Sequence, residues 1–148
     1  MKTIKTIDAV IVYNLLKSAS LGKMDATDKF SVIKTIKSLK HVSEDFESFR
    51  DDASERLKGE EHDDMQQKAL MWQQKGDDCG LTDDEKIAVN KYYDKYGKEL
   101  NECINEESQK ENELDIRTLK EDAFGKLLEA NDKWTVEQIL KIDEVMSE

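Results

Sequence analysis

Proline is absent from the 148 residues, glycine occurs only 6 times, and no run of apolar residues approaches the length of a membrane-spanning helix. The lack of proline and glycine excludes collagen-like, proline-rich and glycine-rich segments and favours long uninterrupted helices. Only 2 cysteines and 2 histidines are present. They form no Cys-x-x-Cys pair, no His-Glu-x-x-His motif and no four-ligand zinc set. Two cysteines suggest free thiols and a cytoplasmic protein. The apolar run in MKTIKTIDAVIVYNLL is interrupted by Asp8 and Asn14 and lacks a small-residue cleavage site, so a signal peptide is not expected. A chain of this length is expected to form a single domain.

Charge is abundant and unevenly placed. The formal net charge is −11, which argues against direct nucleic-acid binding. Residues 1–42 hold 8 lysines and 3 aspartates, while residues 43–148 hold 15 basic and 31 acidic side chains. The simplest expectation is internal pairing of the early lysines with later carboxylates; a basic patch for an acidic partner is the alternative.

The periodicity predicts a mainly α protein, a long antiparallel helical hairpin on a compact helical base, with a minor short β-ribbon. A first helix is expected from about Asp8 to Ser20, capped by Thr6 or Asp8 and ended at Leu21-Gly22. A second runs from Asp25 to about Lys58, with a stripe of Phe30, Ile33, Ile36 or Lys37, Leu39, Val42, Phe46, Phe49, Ala53 and Leu57. These steps lie close to the 3.5-residue repeat of a coiled coil. Met65, Ala69 and Trp72 mark a short helix closed by Gly76, with Gly80 in a turn. Residues 59–81 form the acidic tip.

Thr82-Asp83-Asp84-Glu85 is a capping box that opens a helix to about Glu111. Thr118 with Glu121, and Thr135 with Gln138, repeat that pattern before two short helices. Leu114-Asp-Ile-Arg117 alternates and could pair with Thr3-Ile-Lys5. The base, residues 1–24 and 114–148, is expected to bury Leu119, Phe124, Leu127, Leu128, Trp134, Ile139, Leu140, Ile142 and Val145. The hairpin register expected from the stripes places Leu39 near Ile104, Val42 near Leu100, Phe46 near Tyr96, Phe49 near Tyr93 and Ala53 near Val89. It also sets Lys29, Lys34, Lys37 and Lys40 beside Glu106, Glu107, Glu111 and Glu113.

Little in the chain points to catalysis. His41, with Asp45 one turn on, and His62, within Glu60-Glu61-His62-Asp63-Asp64, read as solvated histidines. Cys103 reads as a core residue and Cys79 as an exposed turn residue whose acidic neighbours disfavour a thiolate. Asp77-Asp78-Cys79-Gly80 lacks the spacing of a calcium loop. Glu44, Glu47 and Asp51, and Glu102, Glu106 and Glu107, recur at helical spacing. They could hold Mg²⁺ in a helical nucleotide hydrolase or equally form solvated faces. No catalytic, cofactor-binding or metal-binding residue and no cofactor is expected. The candidate partner contact is Met65, Leu70, Met71, Trp72 and Tyr92; if the acidic tip instead folds back on the hairpin, Trp72 belongs to the core.

The order of elements resembles that of small uncharacterised proteins encoded in phages and prophages. The likeness rests on Val12-Tyr-Asn-Leu-Leu16, Phe46-Glu-Ser-Phe-Arg50, Glu55-Arg-Leu57, Phe124-Gly-Lys-Leu-Leu-Glu-Ala-Asn131 and Trp134-Thr-Val-Glu-Gln-Ile139. It implies an accessory or assembly role without enzymatic activity. The leading expectation is therefore a non-enzymatic interaction protein with a protein partner or self-association. The alternatives are a Mg²⁺-dependent nucleotide hydrolase and, from the acidic segment, a DNA-mimic inhibitor.

Overall fold

A computed structural model describes all residues, 1–148. The protein is mainly α-helical with one small two-stranded antiparallel sheet. The elements are β1 (Lys2–Lys5), α1 (Thr6–Leu16), α2 (Ala26–Leu57), α3 (His62–Lys75), a 3-10 turn (Gly76–Asp78), α4 (Asp83–Ser108), β2 (Glu111–Leu114), α5 (Glu121–Ala130) and α6 (Val136–Met146). The architecture is not a long hairpin on a base. The chain divides into two compact units, residues 1–47 with 107–148 and residues 48–106, and both long helices contribute to each.

The first unit holds the main core. Ile4, Ala9, Val12, Leu16, Met24, Val32, Leu39, Leu119, Ala123, Leu127, Ile142, Val145 and Met146 are buried together. Each fully buried Leu or Ile contributes about 1.5–3 kcal/mol of transfer free energy. The sequence stripe misplaced the rotation of α2 over its first turns. Val32, Thr35 and Leu39 face inward, so Phe30 and Ile33 are exposed. Thr35 can be buried because its hydroxyl donates to the Arg117 carbonyl (3.2 Å) and accepts from the Arg117 N–H (2.9 Å). Leu140, expected in the base core, is exposed, while Phe124 and Trp134 pack against the core.

The ribbon pairs Lys2 with Leu114 and Lys5 with Glu111. The strand is therefore Glu111–Leu114, one residue of overlap with the expected 114–117. The next residues are extended but bond to α2 instead, where Ser38 Oγ donates to the Asp115 carbonyl and Thr35 holds Arg117. An isolated two-stranded ribbon is marginal. Ile4 anchors this one in the core, and Asn112 Nδ2 ties it to the start of α1 through the Ile4 carbonyl (3.1 Å) and Thr6 Oγ1 (3.0 Å).

Helix ends follow local chemistry where nothing competes. Asp25 Oδ1 accepts from the Asp28 N–H, and the boxes at Thr82–Glu85 and Thr135–Gln138 each make both reciprocal bonds. The box expected at Thr118 does not form, because the Leu119 N–H bonds to the Met146 carbonyl and Leu119 bridges Ser147. Thr6 does not cap α1 either; its hydroxyl donates to the Lys110 carbonyl. Helix α1 stops at Leu16 rather than near Gly22, and α4 stops at Ser108. Gly76 and Gly80 do take the left-handed backbone that suits glycine, with φ of 60° and 80°.

Ion pairs are sparse. None of Lys29, Lys34, Lys37 and Lys40 pairs with Glu107, Glu111 or Glu113; Lys40 reaches Glu44 on its own helix and Glu107 pairs with Lys110. Lys23 does reach a later carboxylate, Glu129, at 4.0 Å, so internal pairing accounts for a small part of the lysine excess. Lys141, like Lys58 and Lys68, is partly sheltered. It contacts Asp8 at 3.0 Å, and this hydrogen bond raises its pKa.

Candidate functional site

The second unit, residues 48–106, places the end of α2, all of α3 and most of α4 together. Helix α2 meets α4 here in antiparallel sense. Tyr96 Oη bonds to the carbonyl (3.2 Å) and the hydroxyl (2.8 Å) of Ser54, and one turn away Tyr92 Oη donates to the Lys58 carbonyl. The Tyr96 hydroxyl thus reaches α2 about two helical turns beyond the Phe46 position expected for it. Aromatic reach sets this register. Polar tips of long tyrosines find backbone and hydroxyl partners beyond the apolar stripe, which residue spacing alone does not reveal.

His62 opens α3 and joins these tyrosines. Its Nδ1 lies 2.8 Å from Tyr92 Oη, and its ring centroid lies 5.9 Å from that of Tyr96. The rings of Tyr92 and Tyr96 are stacked at 5.9 Å, and Tyr93 meets Tyr92 edge-on at 5.1 Å. Burial, then the neighbouring tyrosines, raise the pKa of Tyr92. The single proton of Tyr92 is committed to the Lys58 carbonyl, which can only accept. The contact with His62 must therefore be donated by Nδ1–H. His62 is half-buried and partnered, not the solvated histidine expected. The signal was present in the sequence: His62, Met65, Ala69 and Trp72 continue one stripe at steps of three and four.

Beside this cluster, Ala69, Trp72, Gln73, Val89, Asn90 and Tyr93 line an open depression. Lys86 Nζ sits 5.5 Å from the Trp72 ring centroid, and Lys68 bridges Asp64 and Glu85. The hydrogen bond that Lys68 donates to Asp64 raises the pKa of Lys68, and the Thr82 N–H lowers that of Glu85. The depression is apolar at its floor, with two carboxamides available to fix a ligand's orientation.

The five expected contact residues do not form one patch. Tyr92 is half-buried in the histidine–tyrosine cluster, and Met65 and Trp72 are half-buried on the inner stripe of α3. Leu70 and Met71 lie on its outer side, 47% and 40% exposed. The cysteines exchange their expected settings: Cys79 is buried, while Cys103 is half-exposed and its Sγ accepts from Arg56 Nη2 at 3.5 Å. The Cys79 N–H bonds to the Gly76 carbonyl, which folds the thiol under the turn.

Carboxylates do not converge. Glu44, Glu47 and Asp51 are exposed along α2, and no three His, Cys, Asp or Glu side chains gather where they could hold a metal ion. No helix is long and apolar enough to cross a membrane. Comparison of the chain with protein-family models, with curated proteins and with solved structures found no match.

Proposed function

We propose that this protein is a non-enzymatic interaction or assembly protein, of the accessory kind that its resemblance to phage- and prophage-encoded proteins implies. The observation that supports this reading is the pair Leu70 and Met71. Two large apolar side chains stand exposed on the outer side of α3, with Gln66, Gln67, Gln73, Gln74, Lys68 and Lys75 one turn to either side. Exposed apolar groups rimmed by polar side chains favour docking of a protein partner.

The test is capture from a host lysate with the wild-type chain and with the double variant Leu70→Ser, Met71→Ser. A protein captured by the wild type and lost with the variant supports the reading. Identical capture by both, or none by either, overturns it.

A further inference from the structure

The first unit presents two outward helix faces of opposite charge, each with an apolar centre. Buried Val32, Thr35 and Leu39 fix the rotation of α2. At 100° per residue, Phe30, Ile33, Lys34 and Lys37 then lie on its outer side. Phe30 is 59% exposed and Ile33 43%. Lys34 Nζ lies 5.3 Å from the Phe30 ring centroid, and no acidic residue occurs from Lys29 to His41. On α6, buried Ile142, Val145 and Met146 turn Val136 and Leu140 outward, 74% and 57% exposed. Exposed Glu137, Asp143 and Glu144 surround them, and the helix's lysine, Lys141, bridges Asp8 and Glu144, leaving the face net acidic.

We propose that the chain self-associates by docking the outer face of α2 in one copy on the outer face of α6 in a second copy. Phe30 and Ile33 pack against Val136 and Leu140, with Lys34 and Lys37 opposite Glu137 and Glu144. Charge selects this occupant. A second α2 face would set lysine against lysine, and a second α6 face would set carboxylate against carboxylate, whereas α2 on α6 joins opposite signs. Steps of three on α2 and four on α6 are the ridge spacings that interdigitate when helices pack. The lysines left without partners in the first unit thereby acquire them. This inference rests on the interaction reading and adds a second copy as partner, through a different unit from Leu70 and Met71.

Sedimentation velocity of the full chain over a wide concentration range, at low and high salt, tests it. The mass should rise with concentration and less so at high salt. The charge reversals Lys34→Glu with Lys37→Glu, and Glu137→Lys with Glu144→Lys, should each weaken association by about tenfold or more. An equimolar mixture of the two should restore it, because each altered face then meets its complement. Leu140→Ser, which leaves the charges in place, should weaken it alike. Leu70→Ser with Met71→Ser should leave association intact, so loss of lysate capture and loss of self-association are read separately. A monomer at every concentration, association indifferent to the α2 and α6 variants, or a mixture that stays dissociated would overturn the proposal.

Discussion

The side chain of Asn131 closes a reciprocal pair of hydrogen bonds with the backbone of Ser20. Oδ1 accepts from the Ser20 N–H and Nδ2 donates to the Ser20 carbonyl, both at 2.8 Å. The same Nδ2 also donates to the Leu127 carbonyl at 2.8 Å, so one carboxamide joins the link between α1 and α2 to the end of α5. Asn131→Ala should lower unfolding stability by about 1–2 kcal/mol, the net worth of a few partly exposed hydrogen bonds. Asn131→Asp should cost more, because its carboxylate would face two carbonyl oxygens. Chemical denaturation of both variants checks the order.

Tyr92 fixes the tautomer of His62. Neutral His62 should carry its proton on Nδ1, the less common form, because the Tyr92 proton goes to Lys58. Nitrogen chemical shifts of the imidazole at about pH 9, where a histidine is normally neutral, will show it. In Tyr92→Phe the Nδ1–H signature should disappear, and stability should fall by about 1–3 kcal/mol as two polar groups lose their partner.

The Thr82–Glu85 box makes the start of α4 sensitive to acid. The folded pKa of Glu85 is depressed, so its stabilisation is present above the ordinary carboxylate value and is lost as pH falls through the folded value. Amide exchange at the first turn of α4 should therefore accelerate on acidification. Glu85→Gln retains an acceptor for the Thr82 N–H and should flatten that dependence.

Two apolar residues near each other in sequence spacing should behave oppositely on truncation. Leu39→Ala removes a fully buried side chain and should cost about 2–5 kcal/mol. Phe30→Ala removes an exposed one and should stay within about 0.5 kcal/mol for the isolated chain. Equal losses in thermal or denaturant unfolding would contradict the observed rotation of α2.

Thiol labelling should separate the cysteines. Half-exposed Cys103 should react with a soluble reagent in the native state, and Cys79 only on unfolding. Two equally fast thiols would contradict the placement of Cys79 under the Gly76 turn.

Local chemistry determined the helices themselves. Scarce glycine, absent proline, the aspartate at the start of α2 and the boxes at Thr82 and Thr135 act within a few residues, so their outcome is written in order along the chain. The same holds for Gly76, where a left-handed residue ends α3. Tertiary structure decided whatever depended on which distant group won a competition. Thr35 is buried because Arg117 offers it a peptide group, and this turns Phe30 and Ile33 outward despite their place in the apolar stripe. Leu119 bonds to Met146 instead of extending α5, so Thr118 caps nothing. Tyr92 and Tyr96 choose polar partners at Ser54 of α2 and at Lys58 at its end, and they gather His62, whose neighbours in sequence point to water. Periodicity reports which residues share a face. Which face turns inward depends on partners brought together only by folding, because a buried polar group is tolerated only where its hydrogen bonds are met.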